Sequence, residues 1–270
     1  MKAVVPQSKE YHKYLSKIKR KKILIIAIQI SILLSIIGLW ELLAITGAID
    51  TFIMSSPSRI LATIGQIAAS GELFVHISTT LYEAIIGFVI ATTLGTLIAI
   101  ILWWNETIRR ILDPFIVVLN SLPKIALGPI IIIWVGIGTA SIVVMDVLIM
   151  VIITTLTMLA AFVNCDNGKI LLLRSYNANK FQILTKLVIP NSICDFIGVL
   201  KVNVGLTWVG TIMGEYLNSR AGLGYLIVYG GQIFNLDLVM ASTVILCLLA
   251  ALMYFVVALA EKIIKKRYNN

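Results

Sequence analysis

Long apolar blocks, and not an alternation of apolar and polar positions, dominate the pattern of this chain. Several blocks reach the roughly 20 residues that a helix needs to cross about 30 Å of hydrocarbon. The alternating strands that build membrane barrels are not seen in the pattern. We therefore predict an all-α, polytopic membrane protein with six transmembrane helices. The predicted spans are Ile23–Ile45, Ile77–Trp104, Pro114–Ile137, Ala140–Val163, Phe196–Leu217 and Leu238–Ala260.

The composition excludes an ordinary soluble domain. Of the 270 residues, 59% are hydrophobic and only 13% are charged, whereas soluble domains carry about 25% charged residues. The pattern predicts a basic tail over residues 1–22, a transmembrane domain over residues 23–260 and a second basic tail over residues 261–270.

Lys and Arg outside the spans gather on one side of the predicted membrane. With six spans, that side holds both tails and the segment 171–190, while the opposite side receives only Arg59 and Arg220. Because basic residues resist translocation, we predict that both termini and the segment 171–190 are cytoplasmic. The net charge of +9 then reflects topology and needs no nucleic acid as a partner.

Two segments on the outer side have turn and helix signals. Ser56 before Pro57 predicts the start of a short helix that ends near Ala69, because serine caps free backbone donors and proline suits the first helical position. The outer loop between the last two spans contains Gly222 and Gly224. This loop is either a flexible turn or a short re-entrant element that closes the outer mouth of a pathway.

Polar residues inside the spans are candidates for lining a pathway. Pro123 and Pro129 interrupt the third span, and broken backbone at membrane depth must be covered by protein or water. Lys124 between them either lines the route, pairs structurally or reaches the interface. The fifth span carries further candidate pathway residues, and its glycines permit close helix packing. The candidates on that span are Asn203, Thr207, Trp208 and Met213.

Other charges in the spans are expected mainly to pair with one another, because charges in hydrocarbon are costly. Glu83 and Lys201 are the chief examples, with Asp146 a further buried acid. Lys124 and Lys201 would suit an anionic substrate if both faced a cavity, although Glu83 and Asp146 weaken that argument.

The predicted cytoplasmic segment reads as an amphipathic helix from Arg174 to Leu187. Its apolar face is predicted to contain Phe181, Leu184, Leu187 and Val188, and Pro190 is predicted to end it. The segment contains nothing catalytic. Such a surface is most simply a docking site for a partner that supplies energy.

Several motifs resemble one family of membrane proteins over about residues 38 to 260. The spacing from Leu171 to Pro190 is similar to the coupling segment of permease subunits of binding-protein-dependent ABC importers. Leu171 to Leu173 stand where that family has a Glu-Ala-Ala triplet, and Asn177 stands at its Gly, a position where Asn also tolerates a left-handed backbone. Further landmarks resemble the nitrate, sulfonate and taurine branch. These are Pro57–Leu61, Thr80–Phe88, Leu122–Pro129, Trp134–Gly138 and Gly214–Ile227.

The resemblance implies the type I importer fold, a bacterial inner-membrane location and a set of partners. These partners are a second copy of the chain in a homodimer, two copies of an ABC ATPase, an extracytoplasmic substrate-binding protein and membrane lipid. The resemblance implies ATPase coupling by Arg174, Ser175, Asn177, Ala178, Lys180, Phe181, Leu184 and Pro190. It implies an outer gate or binding-protein contact at Glu215, Gly222, Gly224 and Tyr225.

The resemblance also implies the reaction partners and the cargo. The chain has no phosphate-binding loop, so ATP and Mg are expected in the partner ATPase, and no cofactor, metal or catalytic residue is expected in this chain. An aliphatic sulfonate, taurine or a similar anion is the expected substrate. A thiamine-pyrimidine precursor, riboflavin or an aromatic acid is the alternative.

Two other classes of function compete with the importer. An ion-coupled secondary carrier could use Glu83, Asp146 and Lys201, but the chain lacks the matching halves of such carriers. A membrane enzyme is the third possibility. Against it, His12 and His76 are near no plausible nucleophile and are read as solvated.

Overall fold

All regular elements among the residues that the structure describes are helical, as the sequence predicts. The computed structural model describes the backbone of residues 9–268 and the side chains of residues 14–265. Residues 1–8, 269 and 270, the ends of the two predicted basic tails, lie outside the described residues. The helices are α1 (Lys9–Ile45), α2 (Thr51–Met54), α3 (Pro57–Ala69), α4 (Glu72–Trp104), α5 (Glu106–Ser121), α6 (Gly128–Val135), α7 (Thr139–Val163), α8 (Asn167–Ser175), α9 (Lys180–Ile183), α10 (Ile189–Asn191), α11 (Ile193–Asn218), α12 (Leu223–Gln232) and α13 (Leu236–Tyr268).

Five of these helices are long and apolar enough to cross a membrane, namely α1, α4, α7, α11 and α13. The sixth predicted span is a broken pair. Its two parts, Glu106–Ser121 and Lys124–Val135, meet at an angle of 82°. The predicted bounds Pro114–Ile137 are therefore wrong, whereas the predicted interruption of the third span is confirmed. Pro123 forces the break because proline lacks an N–H and pushes the preceding residue, Leu122, into an extended conformation.

The structure divides after Ala62 into two compact units. In the first unit, the backbone N–H of Ser58 donates a hydrogen bond of 3.0 Å to Glu41 Oε2, which connects the start of α3 to α1. The Asp50 side chain caps α2 through the N–H of Phe52. The predicted short helix from Pro57 to Ala69 is confirmed by α3, and its location on the outer side stays a prediction.

In the second unit, α7 packs against both α4 and α11. Glycines make this close approach possible, because a Cβ atom added at Gly210 would lie 2.1 Å from Asp146 Oδ1, and one at Gly214 would lie 2.9 Å from the Ile142 side chain. The prediction that glycines of the fifth span allow close packing is confirmed at these two positions. A Cβ atom at Gly205, in contrast, would meet nothing within 4 Å.

The segment between α7 and α11 is not the single helix that the sequence predicted. Helix α8 ends at Ser175, Asn177 adopts a left-handed backbone with φ 57°, and α9 begins only at Lys180. Pro190 does not end a helix; it lies in the first turn of α10, directly after a π-helical turn over Leu184–Val188. In that turn the N–H of Ile189 bonds to the carbonyl of Leu184, a wider register after which a residue without an N–H is tolerated.

Candidate functional site

The turn between α8 and α9 is fixed by local hydrogen bonds. The N–H of Gln182 donates to Asn179 Oδ1 at 2.8 Å, and the N–H of Asn179 donates to Gln182 Oε1 at 2.9 Å. This reciprocal pair is a capping box, which satisfies free donors at the start of α9. Asn177 supplies the left-handed residue that the resemblance required at this position. The side chains of Asn179 and Gln182 and the left-handed backbone of Asn177 therefore hold this turn in one conformation.

One face of this segment packs onto the ends of α4 and α7. Ile183, Leu184 and Val188 are buried in a cluster with Leu102 of α4 and Phe162 of α7. Leu173 and Ala178 pack against the same cluster, and burial raises the pKa of the Cys165 thiol beside them, so this sulfur behaves as an apolar group. Because interiors are close-packed, a displacement of the segment must be transmitted to these two helix ends.

The opposite face carries exposed apolar side chains. We call Leu171, Leu172, Tyr176 and Phe181 the docking patch; their exposed fractions run from 57% for Leu172 to 76% for Tyr176. The prediction that Phe181 shares a face with Leu184 and Val188 is wrong, because Phe181 is 62% exposed whereas the other two are buried. In the turn that begins at Lys180, Ile183 is the residue that points inward.

Several predicted coupling residues have structural roles within the chain. Leu184 is buried and Ala178 is half-buried, so they support the patch and are not part of it. Lys180 Nζ donates to the carbonyl oxygen of Trp104 at the end of α4 and lies 5.9 Å from the Trp103 ring centroid. Ser175 donates to the carbonyl of Leu172 at 2.7 Å. Arg174 remains exposed, next to the patch in sequence.

The predicted pathway residues of the fifth span lie inside the protomer. Asn203 is fully buried, and its Nδ2 donates to the hydroxyl oxygens of Thr92 and Thr154, each at 2.9 Å. Thr207 is also fully buried, with its hydroxyl donating to the carbonyl of Asn203 at 2.8 Å. Trp208 packs in the apolar cluster between α11, α12 and α13. The structure thus contradicts pathway lining for these three, because all three side chains are buried and Asn203 connects α11 to α4 and α7 within one chain.

Lys124 and Met213 are the predicted pathway residues that stay partly accessible. Lys124 Nζ donates to the backbone carbonyl of Asn120 at 3.0 Å, near the C-terminal end of α5, where free carbonyls favour a cation. Met213 is half-buried against a cluster that contains Met145 and Ile149. Pathway lining stays a prediction for these two side chains.

The predicted outer contacts form the N-terminus of α12. The N–H of Gly222 donates to His76 Nδ1 at 3.0 Å, that of Leu223 donates to Thr80 Oγ1 at 2.8 Å, and that of Gly224 donates to Glu215 Oε2. Three of the free donors at this helix start are therefore satisfied by side chains of α4 and α11.

The prediction of direct binding-protein contact is wrong for Glu215, Gly222 and Gly224, all of which are buried. A Cβ atom at Gly222 would lie 2.3 Å from Glu215 Oε1, which explains the glycine. Tyr225 remains half-buried, with its ring 6.0 Å from that of His76. The loop contains the helix α12, whose start is held by these hydrogen bonds, and this contradicts the flexible turn. The re-entrant element and the outer gate stay predictions.

His76 and Thr80 are the capping residues that the sequence analysis missed. His76 was read as solvated, but it is buried and accepts a hydrogen bond. The signal available in the sequence was their spacing of four, which puts both on one face of α4.

Three carboxyl groups, those of Glu83, Asp146 and Glu215, lie buried near the start of α12. Thr139 donates to Glu83 Oε1 at 2.8 Å, and Thr211 donates to Asp146 Oδ2 at 2.9 Å. Within residues 14–265, Lys201 forms an ion pair with Glu261 and not with Glu83 or Asp146. Charge pairing is thus confirmed for Lys201, while Glu83 uses a hydroxyl donor.

We expect Thr80→Val to destabilise the second unit. The change removes the acceptor of the Leu223 N–H at a buried helix start, and a buried unsatisfied donor costs about 1–3 kcal/mol. Thermal unfolding in detergent measures the loss. The matched control is Thr79→Val, because the exposed Thr79 hydroxyl bonds only to the Val75 carbonyl of its own helix. Equal unfolding temperatures for the two variants would contradict this role of Thr80.

Comparison with known proteins connects this architecture to one family. The family described as "Binding-protein-dependent transport system inner membrane component" matches residues 91–270. A "Probable ABC transporter permease protein" of Haemophilus influenzae is 28% identical and covers 80% of this chain and 88% of its own length. The "Putative aliphatic sulfonates transport permease protein SsuC" of Bacillus subtilis is 25% identical over 87% of this chain and 85% of its own. The "Formylaminopyrimidine transport permease protein ThiX" of Halalkalibacterium halodurans is 28% identical over 71% and 76%.

Solved structures share the fold at low identity. A chain of a bacterial ABC transporter involved in the import of the acidic polysaccharide alginate aligns with a TM-score of 0.62 at 12% identity, covering 93% of this chain and 98% of that one. A chain of the inward-facing MetNI methionine ABC transporter aligns with a TM-score of 0.58 at 20% identity, covering 72% and 94%. Since the family match spans most of the helical core described above, the chain belongs to the binding-protein-dependent inner-membrane components, the permease subunits of ABC importers.

Proposed function

We propose that the docking patch is the surface on which an ABC ATPase subunit moves this permease. The observation that carries the proposal is the two-faced segment over α8 and α9. Its exposed face consists of large apolar side chains, and its inner face is packed on the ends of α4 and α7. A large exposed apolar set marks a protein interaction site more often than a solvated surface.

The geometry supports a direct mechanical connection. Lys180 fastens α9 to the end of α4, and Phe162 of α7 packs in the cluster beneath Ile183. When two ATPases close around ATP, the force on the docking patch is transmitted to α4 and α7 through close-packed contacts. These helices enclose the buried polar groups of the protomer, so their shift changes access across the membrane.

The same arrangement supports a pathway formed between two copies of the chain. Asn203 and Thr207, the polar residues of α11 that could have lined a route, are consumed by hydrogen bonds within one protomer. A route for a polar solute then requires surfaces that a second copy completes. In this proposal the homodimer carries one ATPase per protomer on the cytoplasmic side, and an extracytoplasmic binding protein delivers substrate to the other side.

For the cargo we propose a small sulfonate, taurine or a similar anion, with a thiamine-pyrimidine precursor as the alternative. The support is the likeness to the sulfonate permease, and the likeness to the formylaminopyrimidine permease supports the alternative. The lysines do not decide between them, because Lys201 is paired with Glu261 and Lys124 is bonded to a backbone carbonyl. The selection is then made chiefly by the binding protein.

Uptake by proteoliposomes tests both the proposed ATP-driven transport and the proposed cargo. Permease and ATPase are reconstituted with ATP inside, the binding protein is added outside, and radiolabelled taurine or formylaminopyrimidine is supplied. We expect uptake of one of them that requires both ATP and the binding protein. Uptake driven by a pH gradient without ATP would instead establish the ion-coupled carrier.

A further inference from the structure

A basic cavity lies where α4, α5, α7, α8 and α9 meet. Its volume is about 420 Å³. The side chains that matter for its chemistry are Trp103, Glu106, Arg109, Phe162, Arg174 and Lys180. Polar and apolar groups thus line the same space.

The cavity has an excess of positive charge. Its one carboxylate, that of Glu106, is bonded to Arg110 at 2.7 Å and lies 3.7 Å from Arg109. No carboxylate within residues 14–265 forms an ion pair with Arg174, and Lys180 uses one donor on the carbonyl of Trp104. Several guanidinium and ammonium donors therefore remain for an anion, and Arg pairs with phosphate oxygens in bidentate geometry.

The position of the cavity identifies the kind of anion. Two membrane-spanning helices end beside it, α4 at Trp104 and α7 at Val163. The adjacent indoles of Trp103 and Trp104 are the residue type that concentrates at the boundary between hydrocarbon and water. Exposed isoleucines continue from this level along α4 and α5, at Ile101, Ile108 and Ile111. A phosphate at the level of the indoles with apolar chains below it has the shape of a phospholipid.

We infer that this cavity binds the phosphodiester headgroup of an anionic phospholipid such as phosphatidylglycerol. Arg109 and Arg174 hold the phosphate oxygens, and the acyl chains lie against the exposed isoleucines. Basic pockets between membrane helices are suited to such headgroups. Because Arg109 belongs to α5 and Arg174 to α8, the bound lipid connects the broken third span to the segment that carries the docking patch.

Native mass spectrometry of the permease–ATPase complex tests the inference. The complex is released from nanodiscs that contain phosphatidylcholine with a minor fraction of phosphatidylglycerol, and the retained lipids are counted. We expect wild type to retain phosphatidylglycerol selectively. Arg109→Gln and Arg174→Gln should each lower its retention about tenfold, the effect of one lost charge-assisted contact of roughly 1.4 kcal/mol.

Lys186→Gln is the matched control, because it removes one positive charge from the same segment between α7 and α11. Lys186 is exposed and does not line the cavity. We expect this variant to keep its phosphatidylglycerol. Thermal unfolding of all three variants verifies that they are folded.

Four results would overturn the inference. These are equal retention by Arg109→Gln and wild type, equal retention of phosphatidylcholine and phosphatidylglycerol, displacement of the lipid by inorganic phosphate at comparable concentration, and loss of the ATPase from Arg109→Gln with its lipid intact. The third would identify a free-phosphate site, and the fourth would identify a protein contact.

Discussion

Replacing Phe181 by aspartate is expected to release the ATPase subunit while the permease stays folded and inserted. The side chain is 62% exposed, so its loss leaves no cavity in the permease. In the complex, however, the new carboxylate would be buried in an apolar interface, and aromatic anchors of this kind typically contribute at least about 2 kcal/mol to binding. We expect co-purification of the ATPase to fall by more than about tenfold and ATP-driven uptake to cease.

Thr107→Asp is the control for the added charge. Thr107 is exposed in the first turn of α5, near the same ends of α4 and α7, and a helix N-terminus accepts a carboxylate favourably. This variant should retain the ATPase and transport. If Phe181→Asp also retained both, the docking patch would be assigned to the wrong face.

Gly210→Ala is expected to cause a large loss of stability in the helical core. The added Cβ would lie 2.1 Å from Asp146 Oδ1 and 3.1 Å from the Asp146 Cα. Asp146 cannot move aside, because Gly87 on α4 confines it from the other direction, where an added Cβ would lie 2.3 Å from Oδ2. Overpacking of this kind costs about 1–3 kcal/mol, and the displaced carboxylate also loses its bond to Thr211.

Gly205→Ala is the matched comparison on the same helix. An added Cβ there meets nothing within 4 Å, and alanine is the better helix former by up to about 1 kcal/mol. Thermal unfolding of the detergent-solubilised protein should therefore show a large decrease for Gly210→Ala and none for Gly205→Ala. If the two variants unfolded at the same temperature, the contact between α7 and α11 would be looser than this packing implies.

The positions of the spans were predictable because hydrophobic length is a local property. Helices α4, α7, α11 and α13 include the predicted spans in their part of the chain and extend them at one or both ends, most of all α13, which ends at Tyr268 and not at Ala260. The turn at Asn177 was also predictable, since few residue types tolerate a positive φ. The break at Pro123 follows from proline chemistry in the same way.

The faces of the helices were not predictable by the same means. Asn203 and Thr207 read as cavity residues because polar side chains in a span are costly when unpartnered. The sequence does not reveal that Asn203 bonds to Thr92 and Thr154, or that Thr207 bonds to the carbonyl of Asn203. Glu215 was assigned as an outer gate or contact from the resemblance, whereas in the structure its carboxylate accepts a hydrogen bond from the N–H of Gly224, nine positions away. Phe181 was placed on one face with Leu184 and Val188 because one continuous helix was assumed where the structure has a turn and a π-helical segment.

By itself the sequence determined the membrane class, the five long apolar helices, the short helix that begins at Pro57 and the place of the amphipathic segment between α7 and α11, because each depends on residue type and on spacing along the chain. Only the tertiary structure decided which polar groups are consumed inside the protomer and which apolar side chains are left exposed. The physical reason is that a buried donor or carboxyl is satisfied by whichever helix packs against it. Thr92 and Thr80, the α4 partners of Asn203 and Leu223, lie more than one hundred positions away along the chain.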